Sequence, residues 1–430
     1  MLKSLFTQLM NRKKSNLWIA MELLLVFCVL WYLVDYFFVV TYNKSIPSYQ
    51  DTNNTYQVRI TQFPEDHPEY NDEEGKPENV EAHYARILNH IRSYPGITDV
   101  SVSFENAAPG NDGISTNSFI SVADTNQMHG MRILLINPET DFFNVFGYTT
   151  GNGEKKVSTH DFEWEKPDAV VINQLAASQF FPEGNAIGKY LKESNHPDNT
   201  YEIVGIVDNI KRFGIDYPEA ICYKKRPIDA STISDAEISV RIDPTTTGGN
   251  YLSTFKQDME NSLRIGNFYF LHINSYNENI YNLNEAYGYN TAERVRFYLM
   301  IFFLINVLLC VIGTFWYRVN IRREEIGLRM ALGSSRKSIS TLLMVEGLCL
   351  LAIITLPALF LEWQFVHADL IPTIGDNNSS LVYLPQKKIL RFLITNILTW
   401  LLMGLVIMAA IWLPARKASS LAPAEALHYE

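Results

Sequence analysis

Apolar residues run almost unbroken through Leu17–Val40, Val295–Tyr317, Ile339–Val366 and Ile389–Leu413. Each run exceeds the ~20 residues that an α-helix needs to cross about 30 Å of hydrocarbon. Four transmembrane helices are therefore predicted. A cleaved signal peptide would have a shorter apolar stretch followed by a small-x-small site. The first run ends instead in Val39-Val40-Thr41-Tyr42, so a retained anchor is expected. Trp18, Trp316, Trp363 and Trp412 stand at ends of the runs, where amphipathic rings favour the membrane interface.

Between residues 41 and 294 the period changes. Thr55–Gln62 and Ile97–Phe104 alternate as half-buried strands, and Val80–Tyr94 between them places Ala85, Ile87, Leu88 and Ile91 at helical spacing. Met131–Asn137 predicts a strand, Val170–Phe181 a strand passing into a helix, and Tyr201–Val207 a buried strand. Ala236–Ile242, a helix over Tyr251–Leu263 and Phe268–Ile273 predict a second β-α-β-like unit. A polar helical stretch from Asn277 then leads toward the second apolar run, as a stalk would. The acidic Pro64–Pro77 and the Gly/Asn-rich Ala107–Asn117 read as surface loops. The expected fold class is an α+β membrane protein, four transmembrane helices with a large mixed α/β extracytoplasmic domain between helices 1 and 2.

Charge orients this frame. Residues 41–294 hold 36 acidic and 20 basic side chains, a net of -16, so the remainder of a chain at -10 carries +6. The acidic middle argues against nucleic-acid binding by that face. Lys3, Arg12, Lys13 and Lys14 precede the first run without an acid. Arg318, Arg322, Arg323, Arg329, Arg336 and Lys337 follow the second run against only Glu324 and Glu325. The positive-inside rule places both segments in the cytoplasm. The expected layout is a cytoplasmic segment at 1–16, helix 1 at 17–40, the extracytoplasmic domain at 41–294 and helix 2 at 295–317. A cytoplasmic coupling loop at 318–338, helix 3 at 339–366, an outer loop at 367–388, helix 4 at 389–413 and a cytoplasmic tail at 414–430 complete it. Lys387, Lys388 and Arg391, at the outer end of the fourth run, oppose this orientation and are outnumbered.

Carboxylates inside a span cost several kcal/mol unless paired or wet. Asp35, near an outer end, is expected to reach water. Glu22 and Glu346, near the cytoplasmic face, are read as interhelical pairs or as solvated beside the basic loop, in preference to an ion relay.

No catalytic set emerges. Gly184-Asn185-Ala186-Ile187-Gly188-Lys189-Tyr190 resembles a phosphate loop, but three residues separate its glycines and Tyr190 replaces the Mg²⁺-binding Ser/Thr. His83 and His90 lie about 10 Å apart by helical rise, too far to chelate one metal. Cys28, Cys310 and Cys349 fall in apolar runs, which leaves Cys222 without a disulfide partner in the middle domain. No cofactor or metal is expected.

Three stretches carry a resemblance. They are Arg322–Arg336 followed by a span containing Glu346, the ending Pro414–Leu427, and the set Val170–Asn173, Phe181–Lys189 and Val204–Asp208. Together they resemble the MacB-like branch of the FtsX permease family, the last set its periplasmic core domain. The resemblance implies a non-catalytic permease subunit of a bacterial inner-membrane ABC system, with both termini cytoplasmic. It implies a homodimer or paralogous heterodimer, worked by a separate cytoplasmic ATPase that binds the ATP. A periplasmic adaptor and an outer-membrane channel are further partners in that family. The implied role is export or efflux by mechanotransmission. An FtsX-like machine that activates an extracytoplasmic cell-wall hydrolase is the alternative, and a membrane-tethered enzyme is a third.

The coupling element is expected at Glu324–Leu332, rich in helix formers. Ile326 and Met330, and likewise Leu328 and Leu332, stand four residues apart, as do Glu325 and Arg329 in the favourable order for an ion pair. Gly327 permits close approach. An amphipathic helix on the membrane surface is the competing reading. A short helix docked in a groove of the ATPase is preferred, its apolar pair filling the groove and Arg329 meeting acidic or backbone acceptors, with Met330 the first position to test.

Overall fold

The computed structural model describes residues 13–367, except 106, 114, 123–127, 197, 247 and 249, together with residues 388–420. Lys3, Arg12, most of the outer loop with Lys387, and the tail beyond 420 lie outside the described residues. The chain divides into two units, one of residues 46–289 and one of residues 1–45 with 290–430. Helix α1 (Lys13–Ser45) opens the second of these.

The 46–289 unit begins with β1 (Thr55–Gln62), α2 (Pro77–Arg92) and β2 (Ile97–Phe104). A long insertion follows, containing β3 (Ser115–Ser121), β4 (Met128–Ile136), α3 (Phe142–Val145) and the short hairpin β5 (Thr149–Thr150) and β6 (Lys155–Lys156). It continues through β7 (Ala169–Asn173), α4 (Gln174–Phe180), β8 (Tyr190–Glu193), β9 (Thr200–Val207) and β10 (Ile221–Lys225). The unit closes with β11 (Ala236–Ile242), α5 (Tyr251–Ser262), β12 (Phe268–Ser275) and α6 (Tyr276–Ala286).

Strands β2, β11, β1 and β12 lie side by side in that order, every neighbouring pair antiparallel. β1-α2-β2 and β11-α5-β12 are thus two split β-α-β units, each inserting a strand between the strands of the other. The helical period in α2 explains why it docks, since Val80, Tyr84, Ile87 and Ile91 form its buried face. They share a core with Phe255 and Met259 of α5 and with Val58, Val100, Val102 and Val240 of the sheet.

The insertion makes a second construction. β4 pairs with β3, β3 with β8, β8 with β9, β9 with β7, β7 with β10, and β10 returns to β4 in parallel. This ring of six strands leaves none of its members as a free edge. Period-two alternation serves two cores, with Met131, Ile133, Val170, Ile172 and Cys222 in one, and Leu134, Ile136, Val171, Ile221 and Tyr223 in the other.

Two expectations need correcting here. Ala107–Asn117 is not simply a surface loop. Ala107 and Ala108 are buried beside Phe142, Phe146 and Tyr276, and Ser115–Asn117 already belong to β3. The polar stretch after Asn277 is not a free stalk either. Tyr276 of α6 is fully buried, its hydroxyl bonded to Glu237 Oε1 at 2.8 Å and to Ser239 Oγ at 2.6 Å, and Gly288, at φ +70°, interrupts the helix.

One loop ties the two ends of this unit. Lys211 is buried and donates from Nζ to the carbonyls of Ile46 (2.8 Å) and Gly214 (3.2 Å), while its backbone N–H reaches Ser48 Oγ (3.1 Å). Phe213 packs on Tyr287 and Tyr289, with ring centroids 5.6 and 5.0 Å away. Asp216 is buried in the same loop, and desolvation, reinforced by Glu219 and opposed by Arg212 and Lys211, pushes its carboxyl up to about 7.

The other unit is helical. α7 (Tyr289–Ile321) leads to α8 (Arg323–Ala331), α9 (Arg336–His367) and α10 (Lys388–Ser420). Among the described residues, α1, α7, α9 and α10 are the four helices long and apolar enough to cross a membrane. α1, α9 and α10 pack against one another. Gly347 allows the close approach of α9 to α10, because a Cβ there would stand 2.3 Å from Ile411 Cδ1. α7 joins through one stripe of Val307, Val311, Phe315 and Val319, and only 11% of its apolar stretch is buried, against 56% for α1.

Candidate functional site

The segment singled out between the second and third apolar runs forms the helix α8, and its faces divide sharply. Ile326 and Gly327 are buried, and Ile326 belongs to the helical unit's own core, with Met330 packed partly against it. Leu328 and Leu332 are 53% and 79% exposed. The two apolar pairs therefore do different things: Ile326 and Met330 anchor α8, whereas Leu328 and Leu332 are its free apolar surface. Of the two pairs, only Leu328 and Leu332 are therefore free to meet a partner, and Met330, the position singled out for testing, is partly packed into the bundle. Glu325 and Arg329 pair across one turn at 2.7 Å, both well exposed.

Directly before α8, two arginines converge on a carboxylate from α9. Arg318 Nη1 donates to Glu346 Oε1 at 2.7 Å, and Arg322 Nη1 to Glu346 Oε2 at 2.9 Å. Glu346 and Arg318 are 2% and 7% exposed. Each carboxylate oxygen thus has its own guanidinium donor, which offsets the burial cost. The cluster fixes the end of α7, and so the start of α8, against α9. Glu346 accordingly lies in an interhelical pair. Glu22 is half-buried in α1 and neighbours Cys310 of α7.

Toward the other end of the bundle the outcome departs from expectation. Asp35 does not reach water. It is 4% exposed and forms a two-pronged pair with Arg391 of α10, Arg391 Nε donating to Asp35 Oδ1 at 2.9 Å and Nη2 to Oδ2. A cation that opposed the charge-based orientation thus has a local reason to be there. Trp31 Nε1 of α1 bonds Thr395 Oγ1 of α10 at 3.0 Å in the same seam. The residue that sequence reasoning missed is Glu362 of α9, fully buried, with neither carboxylate oxygen hydrogen-bonded. It stands near the end of an apolar run, where an acid reads as a boundary. Only the packing of α1 and α10 over it reveals the burial.

The Gly184–Lys189 segment cannot cradle a phosphate as it stands. The N–H groups of Gly184, Ile187, Gly188 and Lys189 are bonded to Phe181 O, Asn185 Oδ1, Ile203 O and Ala186 O, and the Lys189 ammonium lies over the Phe181 ring. It is a turn between α4 and β8. His90 Nε2 meets Ser262 Oγ at 2.9 Å and His83 Nε2 meets Glu74, so the two rings have separate partners. Cys222 is buried in the ring of strands, where desolvation pushes its thiol up to about 12.

Residues 297–423 match the FtsX-like permease C-terminal family. No curated protein sequence matches the chain. Among solved structures, the chain is similar to the periplasmic region of MacB from Actinobacillus actinomycetemcomitans. That likeness has 12% identity and a TM-score of 0.32, over 54% of this chain and 94% of that one. It is also similar to the extracellular domain of the noncanonic ABC-type transporter YknZ from Gram-positive bacteria, at 13% identity and a TM-score of 0.27. There 51% of this chain and 100% of that one are covered.

Proposed function

Because residues 297–423 carry an FtsX-like permease C-terminal domain, we propose that this chain is the membrane-spanning subunit of an ABC-type system, driven by a separate cytoplasmic ATPase. In this reading it sits in the bacterial inner membrane with both termini cytoplasmic and residues 46–289 outside. It works as a dimer, and ATP-driven movement of its helices is passed to the outer domain for export or efflux. The observation that supports it best is the division of α8. An exposed Leu328–Leu332 pair, flanked by the Glu325–Arg329 pair, projects from a helix pinned by Ile326 and by the Arg318–Glu346–Arg322 cluster. A pinned helix with a free apolar face transmits force; a loosely attached one would absorb it.

The test follows from the same division. A carboxylate at Met330 would disturb the bundle core as well as any docking, so it is a poor probe. Leu328→Asp with Leu332→Asp changes only exposed positions. The double variant should insert and melt as the parent does, yet lose co-purification of the ATPase and transport, since burying unpaired carboxylates in a docking groove costs several kcal/mol. Full ATPase retention would sink the coupling role of α8 and leave the membrane-surface reading.

A further inference from the structure

Strands β1 and β11 separate half-way along β1. Their ladder runs from Thr55↔Arg241 to Val58↔Ile238 and stops, while β1 continues against β12 as far as Gln62. Two local features accompany the split. A 3-10 turn at Ile233–Asp235 redirects the chain just before β11 begins. A bulge between Arg59 and Ile60, opposite Leu271 of β12, adds twist to β1. Arg59–Gln62 is therefore paired on its β12 side alone, and it lines a cleft of about 870 Å³. An unpaired strand edge is a template for another extended chain. Val80 of α2 borders the cleft on the helix-covered face of the sheet, whereas Gln57 and Glu237, which alternate with the core residues Val58 and Ile238, border it on the other. All of this lies within the 46–289 unit.

Charge decides what fits there. The Glu237 carboxylate accepts from Gln57 Nε2 at 2.8 Å, the Tyr276 hydroxyl at 2.8 Å and Asn111 Nδ2 at 2.5 Å, all neutral donors. It forms no salt bridge among the described residues. The other acids of the cleft, Glu105 and Asp235, both lie beside Arg226, at 2.6 and 4.0 Å. Arg59, the basic residue in the lining, is exposed to solvent. The fork thus offers an incoming chain an open backbone edge and, at its base, a carboxylate with no bonded cation. We infer that this cleft binds an extended segment of a partner polypeptide, added as a strand to the Arg59–Gln62 edge, with a basic side chain reaching Glu237. Main-chain hydrogen bonds supply affinity in such strand addition, and alternate side chains supply specificity. Alternation turns the next residue toward Val80 and Ile233, so the segment carries a basic residue beside an apolar one. The net charge of -16 over residues 41–294 attracts a basic partner at longer range.

Fluorescence anisotropy of a labelled, end-capped Val-Lys-Val-Lys-Val peptide, titrated with the full chain in detergent, tests this. The peptide should bind the parent, and the matching Val-Glu-Val-Glu-Val peptide should not. Glu237→Gln should weaken binding at least about tenfold, the worth of a charge-assisted hydrogen bond. N-methylation of one alternating set of peptide amides should abolish binding, because it removes the donors that meet the strand edge. Should Glu237→Gln not assemble, Ser234→Lys serves, since it sets a cation at an exposed position on the same wall and should also weaken binding. No binding to the parent, or equal binding of the two peptides, overturns the proposal. So does affinity unchanged by both variants, or by N-methylation of either set. Binding is read without ATPase or transport, so its failure is distinct from failure of the α8 docking.

Discussion

Glu346 and Glu362 sit on the same helix, about 24 Å apart by helical rise, and both are buried. The first is bracketed by Arg318 and Arg322, arriving from the end of α7. The second has no salt bridge among the described residues, and its neighbours are Asn396 of α10 and Cys28 of α1. The same side chain in the same helix thus meets burial in two ways. At the α8 end, charge is kept and matched, which welds α7 and α8 to α9. At the other end the matched charge joins α1 to α10 instead, through the buried Asp35–Arg391 pair and the Trp31–Thr395 hydrogen bond. The lesson is that buried ion pairs join different helices at the two ends of the bundle, α7 to α9 beside α8 and α1 to α10 at the other.

The contrast is broken most directly by removing each charge. Arg318→Leu leaves Glu346 with one guanidinium in a buried site and should cost about 3–5 kcal/mol, the range for breaking a buried pair. Glu362→Gln removes no pair and should cost under about 1 kcal/mol. Thermal unfolding of both variants in detergent decides the matter, and equal losses would erase the distinction.

Asp216 sharpens the comparison outside the membrane, as a buried carboxyl with two cations and one carboxylate around it. Its folded value, about 7, lies above the ordinary 3.8, so the folded state binds the extra proton. Stability is then greatest below the ordinary value, falls as pH rises from about 4 to 7, and levels off above. Asp216→Asn should flatten that slope and gain on the order of 2 kcal/mol at neutral pH, read from melting curves across that window. An unchanged slope would remove Asp216 from the account.

The smallest effect belongs to the most visible pair. Glu325→Gln breaks the exposed contact with Arg329 and should change stability by only a few tenths of a kcal/mol, the ordinary worth of such a helical pair. A loss above about 1 kcal/mol would show that α8 depends on its surface charges rather than on Ile326 and the Glu346 cluster.

What could be read along the chain was whatever depends on local period. The four spans follow from apolar length alone. Thr55–Gln62, Ile97–Phe104 and Ala236–Ile242 appear as strands with the same limits expected from their alternation. The short strands β8 and β10 were not legible, because Tyr190–Glu193 and Ile221–Lys225 are too brief for a period to register. They exist because neighbours in the ring supply their hydrogen bonds. Interleaving of the two β-α-β units is likewise non-local, since β1 acquires partners near residues 240 and 270. The site divides along the same line. Composition marked α8 and Glu346, but only the folded bundle decided that Ile326 faces inward while Leu328 and Leu332 face out. Arg318 and Arg322 could be read as topology signals, and Arg391 as an exception. Each is also half of an ion pair whose other half lies tens or hundreds of residues away. Burial is a property of neighbours, and the neighbours of Glu362 come from three helices that the chain brings together only at the end.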